Sequence, residues 1–344
     1  MFLIATVGYH NTGDKTRKLV LAGADAIRFN FSRRSIEENI DFAKTSKDII
    51  ASLNASTKIM IDLPINKIRL GDFSIKTFAV RENEIFTCQS ATYSPDCNEF
   101  IPVNTGKIGE KVYLNQTITL GDGEIALQVV DIINSDTIKV KVMNNGVVEY
   151  MRTFNINNND ERIEELIDNY TKISEKIAII DPDFIAFSYI SASDNETVKK
   201  IFYSQKERGR PKIIIKIENQ NAINDLDQIL SDSFYDIIMI DRGEFGVNIP
   251  YQKLGTLQKE ITEQCVKAGK PLFISTQILE STINNFMPSR AEILGITNMV
   301  MDGVRGLIFC KETGYNTRPA YTISVAKKII EETEKYKRQA NKTP

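Results

Sequence analysis

The sequence predicts an α/β fold: a (β/α)8 TIM barrel interrupted by a small inserted β domain. Two patterns carry this prediction. Toward both ends of the chain, over about 260 of its 344 residues, short apolar runs alternate with longer amphipathic segments, which is typical of βα units. Between about residues 71 and 153 the alternation stops and short strands follow one another instead.

Eight apolar runs are predicted as the barrel strands. Most are followed by a segment of helical period, and eight such units are the number that closes a TIM barrel. In chain order the runs are Phe2–Val7, Ala26–Phe31, Ile59–Leu63, Phe184–Tyr189, Ile213–Ile217, Ile237–Ile240, Leu272–Ser275 and Gly306–Phe309.

Three helix starts can be located from capping residues. Ser35 with Glu38, and Ser193 with Glu196, have the spacing of a capping box. Asp160, which follows an Asn-rich link, is a third predicted N-cap.

The middle segment is predicted as a domain of its own, with a hairpin at Gly121-Asp122-Gly123. The barrel domain would then comprise residues 1–70 and 154–344, and the inserted β domain residues 71–153. The strands expected in the insertion are Ile85–Gln89, Thr117–Leu120, Ile125–Val130 and Thr137–Val142.

Composition excludes several functional classes. The 43 Lys+Arg and 45 Asp+Glu give a net charge of −2, which argues against a nucleic-acid partner. No apolar run reaches the roughly 18 residues that a membrane span needs. The N-terminus has no basic start of a signal peptide, and four cysteines are too few for a disulfide scaffold. We therefore expect a cytoplasmic protein without a membrane partner.

Six of the eight predicted strands end in polar residues. TIM-barrel enzymes carry their chemistry at the C-terminal ends of the strands, so these stretches are expected to converge on one rim. They are Arg28–Ser32, Asp62, Lys216–Asn219, Asp241–Gly246, Ser275–Gln277 and Lys311–Gly314.

These residue types suit a narrow chemistry. Arg28 and Lys216 offer fixed positive charge for a phosphate or an enolate oxygen. Glu218 and Glu244 are hard oxygen ligands suited to Mg²⁺ or Mn²⁺. The residues alone thus predict a site for a small anionic metabolite with enolate character, held with a divalent metal.

Two uncharged residues complete this candidate site. Gly243 permits close backbone approach and offers an N–H to a carboxylate. Thr276 supplies a hydroxyl group without charge.

A series of motifs follows in order along nearly the whole chain. They are Thr6-Val7-Gly8, Ala26–Ser32, Ile61-Asp62, Ile68–Gly71, Ile215–Gln220, Arg242–Pro250, Ala268–Pro271, Thr276–Ser281 and Pro288–Glu292. Together they resemble the pyruvate kinase family without its C-terminal domain. The resemblance implies transfer of a phosphoryl group from phosphoenolpyruvate to ADP, a reaction of glycolysis, and here favours a homodimer over a tetramer.

The resemblance also implies roles for the candidate residues. Lys216 would stabilise the enolate and the phosphoryl group in transfer, and Arg28 would contact the phosphoryl group. Thr276 would lie near the carbon that is protonated. Glu218 and Glu244 would hold the metal, Mg²⁺ or Mn²⁺.

A monovalent-cation site is implied as well. Asn30, Ser32 and Asp62 correspond to ligands of the family's monovalent cation. Lys67 stands where potassium-dependent members have Glu, so its ammonium is expected to replace K⁺. Asp62 could instead form an ordinary ion pair with Arg69 or Lys67.

The chain departs from the family mainly on the nucleotide side. Arg69 corresponds to a nucleotide-side arginine, but the family's Ser-His-Gly reads Ser32-Arg33-Arg34 here. Arg33, Arg34 and Lys311 are therefore expected to offer substitute phosphate contacts in a different geometry. The lysine of the loop at Lys311–Asn316 is missing. Glu244 replaces an Asp, which moves the carboxylate outward by one C–C bond, roughly 1.5 Å.

Three functions therefore remain open from the sequence. The first is a phosphotransferase that uses phosphoenolpyruvate and passes the phosphoryl group to ADP or to a different acceptor. The second is a metal-dependent lyase or aldolase acting on a pyruvate enolate, because the same charges stabilise that intermediate. The third is a catalytically silent relative that binds a metabolite.

Overall fold

The computed structural model describes residues 1–8, 12–32, 35–64, 67–156, 163–207 and 211–340. The chain forms two compact units. The first comprises Met1–Ile65, Ile163–Phe245 and Ile249–Pro344, and the second comprises Asn66–Arg162 with Gly246–Asn248. In the described ranges no helix is both long and apolar enough to cross a membrane.

The first unit is built on a closed barrel of eight parallel strands, which confirms the predicted fold class. With strands numbered along the whole chain, the order around the barrel is β1-β18-β17-β16-β15-β14-β3-β2. The barrel strands are β1 (Phe2–Thr6), β2 (Ala26–Asn30), β3 (Lys58–Asp62), β14 (Phe184–Ser188), β15 (Lys212–Ile217), β16 (Ile237–Asp241), β17 (Leu272–Ser275) and β18 (Gly306–Phe309).

Alternate residues of each barrel strand point into the barrel, and they stack in layers. The floor is aromatic: the rings of Phe184 and Phe273 each lie 5.8 Å from that of Phe2. A middle layer is aliphatic and buried, and it includes Ile4, Ala26, Met60, Ala186, Ile214, Met239 and Ile308. The same alternation leads to a polar upper layer at the C-terminal ends of the strands: Thr6, Arg28, Asp62, Ser188, Lys216, Asp241 and Ser275, with Cys310 following β18.

At the N-terminal ends of the strands, three aspartates fix neighbouring strands to each other. The Leu3 N–H donates to Asp25 (2.7 Å), the Ile59 N–H to Asp183 (3.0 Å), and the Ile213 N–H to Asp236 (2.7 Å). Each bond satisfies a strand N–H that has no ladder partner at the barrel end. Polar residues at this end therefore maintain the strand register.

Helices surround the barrel and cover the outward-facing strand residues, which form one large buried core with them. Short 3-10 helices lie at Tyr251–Lys253 and Glu280–Ile283 in this unit and at Ile108–Glu110 in the second unit. The α-helices are α1 (Thr12–Leu21), α2 (Ile36–Ser52), α3 (Ile163–Ile180), α4 (Ala192–Glu207), α5 (Gln220–Asn224), α6 (Leu226–Ser231), α7 (Arg242–Asn248), α8 (Leu254–Lys267), α9 (Arg290–Asp302), α10 (Lys311–Gly314) and α11 (Pro319–Ala340).

Two of the predicted helix starts can be compared with the structure. The capping box of Ser35 and Glu38 at the start of α2 is confirmed. The prediction for Ser193 is wrong, because α4 begins at Ala192 and the Asp194 N–H donates to Ser191 Oγ. Both serines are followed by an acidic residue three positions later, so this spacing alone does not identify the N-cap. The N-cap is the earlier serine because the chain becomes helical directly after it. Asp160 lies outside the described residues.

The second unit is a β structure with its own hydrophobic core. Its largest sheet has the order β13-β9-β10-β11-β6-β8, and two further sheets pair β12 with β5 and β4 with β7. Gly121 and Gly123 adopt φ of 64° and 98° in the turn between β9 and β10, as a hairpin turn requires. The strands are β4 (Asp72–Phe73), β5 (Thr77–Val80), β6 (Ile85–Ser90), β7 (Tyr93–Ser94), β8 (Ile101–Val103), β9 (Thr117–Leu120), β10 (Ile125–Asn134), β11 (Thr137–Val142), β12 (Gly146–Glu149) and β13 (Phe154–Asn155).

Candidate active site

Two buried cations share a carboxylate at the C-terminal end of the barrel. Asp62 Oδ2 accepts hydrogen bonds from Arg28 Nε (2.8 Å) and Nη2 (2.6 Å). Asp62 Oδ1 lies 3.1 Å from Lys216 Nζ, which lies 3.1 Å from Glu218 Oε1 as well. The four residues are between 1% and 4% exposed. Four of the residues predicted from the sequence thus form one connected ion-pair cluster.

The charges of this cluster stabilise one another. Burial lowers the pKa of Lys216, but the negative charges of Asp62 and Glu218 outweigh this effect and raise it above its ordinary value. The pKa of Arg28 is raised for the same reason, chiefly by Asp62. Both side chains therefore carry a permanent positive charge at neutral pH, which an enolate or phosphoryl ligand requires.

The pKa of Glu218 is also raised, but for a carboxyl group this shift favours the neutral form. Burial raises the pKa of its carboxyl group, and the nearby charges of Asp241 and Asp62 add to this, while Lys216 and Ser188 counteract it. Asp62, Glu218 and Asp241 bring three negative charges next to the two positive charges of Arg28 and Lys216. A cation bound beside Glu218 would lower the pKa of its carboxyl group and favour the carboxylate form.

Glu218 and Glu244 carry hard carboxylate oxygens, the donor type that Mg²⁺ prefers. Within the described ranges no group of three or more His, Cys, Asp or Glu side chains is spaced to hold a metal by itself. Mg²⁺ is normally held by one or two carboxylates, with substrate oxygens and water completing the shell. Glu218 directly follows β15. Half-buried Glu244 lies in the first turn of α7, which follows β16.

Thr276 follows β17 in a backbone conformation that β-branched residues rarely adopt, with φ of 73°. Its carbonyl oxygen accepts hydrogen bonds from Arg242 Nε (3.0 Å) and Nη2 (2.6 Å), and Gln277 O accepts a further one (2.8 Å). The Thr276 hydroxyl group donates to Asp241 Oδ1 at 2.9 Å. Charged groups from the end of β16 therefore hold Thr276 in place.

Cys310 connects Thr276 with the cation cluster. Its Sγ lies 3.7 Å from both Arg28 Nη1 and Thr276 Oγ1. Burial raises the pKa of the Cys310 thiol to about 11, although Arg28 partly counteracts this. The thiol is therefore protonated at neutral pH, and it packs between two of the predicted site residues.

The remaining predicted residues have more varied surroundings. Asn30 Oδ1 accepts the Ser32 N–H at 2.9 Å, which forms a turn at the end of β2. The Gly243 N–H donates to Asp241 Oδ1 at 3.2 Å, so the chain's own carboxylate binds the donor expected to be available to a ligand.

Lys67 and Arg69 belong to the second unit; Arg69 Nη1 donates to Met151 O at 3.3 Å. Arg33 and Arg34 lie outside the described residues.

The sequence places Asp241 and Arg242 on the polar rim but assigns them no role, and it assigns none to Cys310. A usable signal was present, because Ile237, Met239 and Asp241 alternate along β16 and the first two face the barrel interior. Counting in twos from the buried residues places Asp241 in the polar layer. Asp62 is predicted from the sequence as a cation ligand or as an ion-pair partner of Arg69 or Lys67, whereas in the structure its ion pairs are with Arg28 and Lys216.

Comparison with known proteins agrees with the geometry. The family model "Pyruvate kinase, barrel domain" matches residues 2–323. Pyruvate kinase of Thermotoga maritima is 30% identical over 97% of this chain and 71% of its own length, and that of Thermococcus litoralis is 29% identical over 97% and 70%. The solved structure of Cryptosporidium parvum pyruvate kinase in complex with ADP has a TM-score of 0.87 at 26% identity, covering 97% of this chain and 67% of that one. The ordered motifs, the closed barrel and these matches together show that the chain belongs to the pyruvate kinase family.

Proposed function

We propose that the chain is a pyruvate-kinase-like phosphotransferase whose barrel end binds phosphoenolpyruvate or a pyruvate enolate. The observation that carries the proposal is the position of Lys216. The residue is 4% exposed and stands at the C-terminal end of a barrel strand, and its ammonium lies 3.1 Å from Asp62 and from Glu218. A lysine held charged in this way is suited to an enolate oxygen and to a phosphoryl group in transfer.

Arg28 and Thr276 act beside Lys216 in this proposal. Asp62 orients the planar guanidinium of Arg28 through two hydrogen bonds, which supports a role as a fixed cation for the phosphoryl group. Thr276 would lie near the carbon that is protonated. Gly243 would line the substrate position, where its missing side chain leaves room.

Glu218 and Glu244 would hold a divalent metal, Mg²⁺ or Mn²⁺. When bound, such an ion neutralises charge on the substrate oxygens. The three carboxylates around Lys216 and the hard oxygen donors support this assignment.

The acceptor is the most variable part of the proposal. ADP is bound in the related solved structure, and Arg69 and Arg33 would contribute positive charge on the nucleotide side of this chain. ADP is therefore the first acceptor to test, and ATP would be the product. We further propose a cytoplasmic homodimer.

Lys67 is proposed to take the role of the family's monovalent cation, whose ligands correspond to Asn30, Ser32 and Asp62 in this chain. We expect the activity of the wild type to be independent of K⁺. Lys67→Glu, which exchanges a fixed cation for a carboxylate, should make the activity require K⁺. Rates measured in K⁺ and in tetramethylammonium buffers check this, and an equal K⁺ response of the two proteins would contradict it.

The proposed function is tested by mixing phosphoenolpyruvate with the protein and Mg²⁺ or Mn²⁺, with and without ADP, and measuring pyruvate and ATP. We expect ADP-dependent formation of both products. Lys216→Met is the blank, because it keeps a side chain of similar length without the charge. Pyruvate formed without ATP would point to another acceptor or to lyase chemistry. No turnover by the folded protein would contradict the phosphotransferase.

A further inference from the structure

Asp241 is a buried carboxylate that the proposed function names neither as a metal ligand nor as a residue that contacts the substrate. It is the last residue of β16 and is 9% exposed. Its Oδ1 accepts two hydrogen bonds, from Thr276 Oγ1 at 2.9 Å and from the Gly243 N–H at 3.2 Å. The second bond caps the start of α7. The first reaches a residue proposed to lie beside the reacting carbon.

The bond to Asp241 fixes the direction of the Thr276 hydroxyl proton. Arg242 holds the Thr276 backbone through its carbonyl oxygen, which fixes where the Thr276 side chain lies independently of the hydrogen bond that its hydroxyl group makes. Ser275 Oγ at 3.5 Å and Cys310 Sγ at 3.7 Å are more distant than Asp241. The Thr276 hydroxyl group donates its proton to Asp241 Oδ1 and therefore directs its lone pairs elsewhere.

Gly243 lies directly beside this pair, and its lack of a side chain avoids close contact with both residues. A Cβ atom built on Gly243 would lie 3.4 Å from Thr276 Oγ1 and Cγ2, and 3.3 Å from Asp241 Oδ1. Contacts of 3.3 to 3.4 Å are tighter than most Cβ packing, so any larger residue would press on the pair. Glycine at this position leaves room for a small group next to the Thr276 oxygen.

We propose that Asp241 is a positioning residue that holds the Thr276 hydroxyl group as a hydrogen-bond acceptor toward the proton source of the enolate. The inference rests on the proposed enolate chemistry. A water molecule that donates one O–H to Thr276 has its other O–H directed at the methylene carbon. The new C–H bond forms as that O–H bond breaks; the electron pair stays on oxygen, and solvent reprotonates the hydroxide.

The test is a double-mutant cycle on the exchange of pyruvate methyl protons for deuterium in D₂O with Mg²⁺, followed by NMR. We expect Thr276→Val and Asp241→Ala each to slow exchange by roughly 10- to 100-fold. In the Thr276→Val background, Asp241→Ala should change the rate less than about twofold, because Asp241 acts through the hydroxyl group. The KM for pyruvate should change little in either single variant.

Asp241→Asn provides a second test if the alanine variant is unstable, because Asn also caps a helix well. We expect Asp241→Asn to slow the exchange less than Asp241→Ala does, and to slow it only in the protein that retains Thr276. Thr262→Val is the matched control: its buried hydroxyl donates to Gln258 O on α8, and exchange should be unaffected.

Two results would overturn the inference, and they are distinguishable. If the rate losses of Asp241→Ala and Thr276→Val multiply in the double variant, Asp241 acts through its charge on neighbours such as Lys216 or through the fold. The positioning role is then wrong, while the proposed function stands. If the folded wild type shows no exchange, the enolate chemistry itself fails and the inference fails with it.

Discussion

Lys216 shows how a single residue acquires a function from its neighbours. Moving an ammonium group out of water is costly, and removing one partner of a buried pair leaves an uncompensated charge. Here two carboxylates at 3.1 Å offset that cost. Lys212, four residues earlier on the same strand, is exposed at the opposite end. The same residue type is thus exposed at one end of β15 and buried between two carboxylates at the other, where we propose that it acts on the substrate.

At the residue scale, the replacement by Glu of the aspartate expected at position 244 has a direct consequence. Glu244→Asp shortens the side chain by roughly 1.5 Å, which is large against the distances that Mg²⁺ requires. We expect the ratio of Mg²⁺ to Mn²⁺ activation constants to shift by about tenfold. Measuring the exchange of pyruvate methyl protons at increasing concentrations of each metal gives the two constants. Glu260→Asp, at an exposed position of α8, is the control. An unchanged ratio would remove Glu244 from the metal's ligands.

Residues that depend on strand periodicity were the ones that sequence reasoning could predict. Arg28, Asp62 and Lys216 lie on the inward face of their strands and at the C-terminal ends, as the alternation indicates. The left-handed backbone of Thr276 could not be predicted in this way. It depends on Arg242, 34 positions earlier in the chain, and local preference alone disfavours it.

At the element scale, the loop after β17 is held from two directions. Arg242 binds the carbonyl oxygens of Thr276 and Gln277. Glu312, which is fully buried in α10, accepts the N–H groups of Ile278 (2.7 Å) and Leu279 (3.3 Å). Strand-end loops in TIM barrels carry function only when they are rigid enough to position a side chain. These two charged residues supply that rigidity.

Removal of the Glu312 charge should weaken this loop. Glu312→Gln keeps the shape but weakens the acceptor for three N–H groups, including that of Cys310 at 2.7 Å. We expect the free energy of unfolding to fall by about 1–3 kcal/mol. Urea denaturation measures the change, with Glu331→Gln on the exposed face of α11 as the control. Equal stabilities of the two variants would show that the loop does not depend on Glu312.

At the scale of the whole molecule, the chain buries two separate hydrophobic cores. The sequence predicted both the barrel and the β insertion, because a change from βα alternation to short strands is visible in the hydrophobic pattern. The inner layers of the barrel, from the aromatic floor around Phe2 to the polar layer of Lys216, follow from the same two-residue period.

The core of the second unit is extensive enough to predict autonomous folding. It contains fully buried residues such as Cys88, Val103, Ile118 and Val140. We expect the excised segment 67–156 to unfold cooperatively, with a stability of a few kcal/mol, on the order of 0.1 kcal/mol per residue. Thermal denaturation followed by near-ultraviolet circular dichroism tests this. Val140→Asp should abolish the transition, and a gradual melt of the unmodified segment would contradict the prediction.

The central claim is that Lys216 stabilises an enolate at the C-terminal end of the barrel, and one measurement tests it most directly. It is the Mg²⁺-dependent exchange of pyruvate methyl protons in D₂O by the wild type, Lys216→Met and Lys212→Met. We expect Lys216→Met to lose about 100-fold or more, while Lys212→Met at the other end of β15 stays within about twofold of the wild type. Undiminished exchange by folded Lys216→Met would contradict the claim.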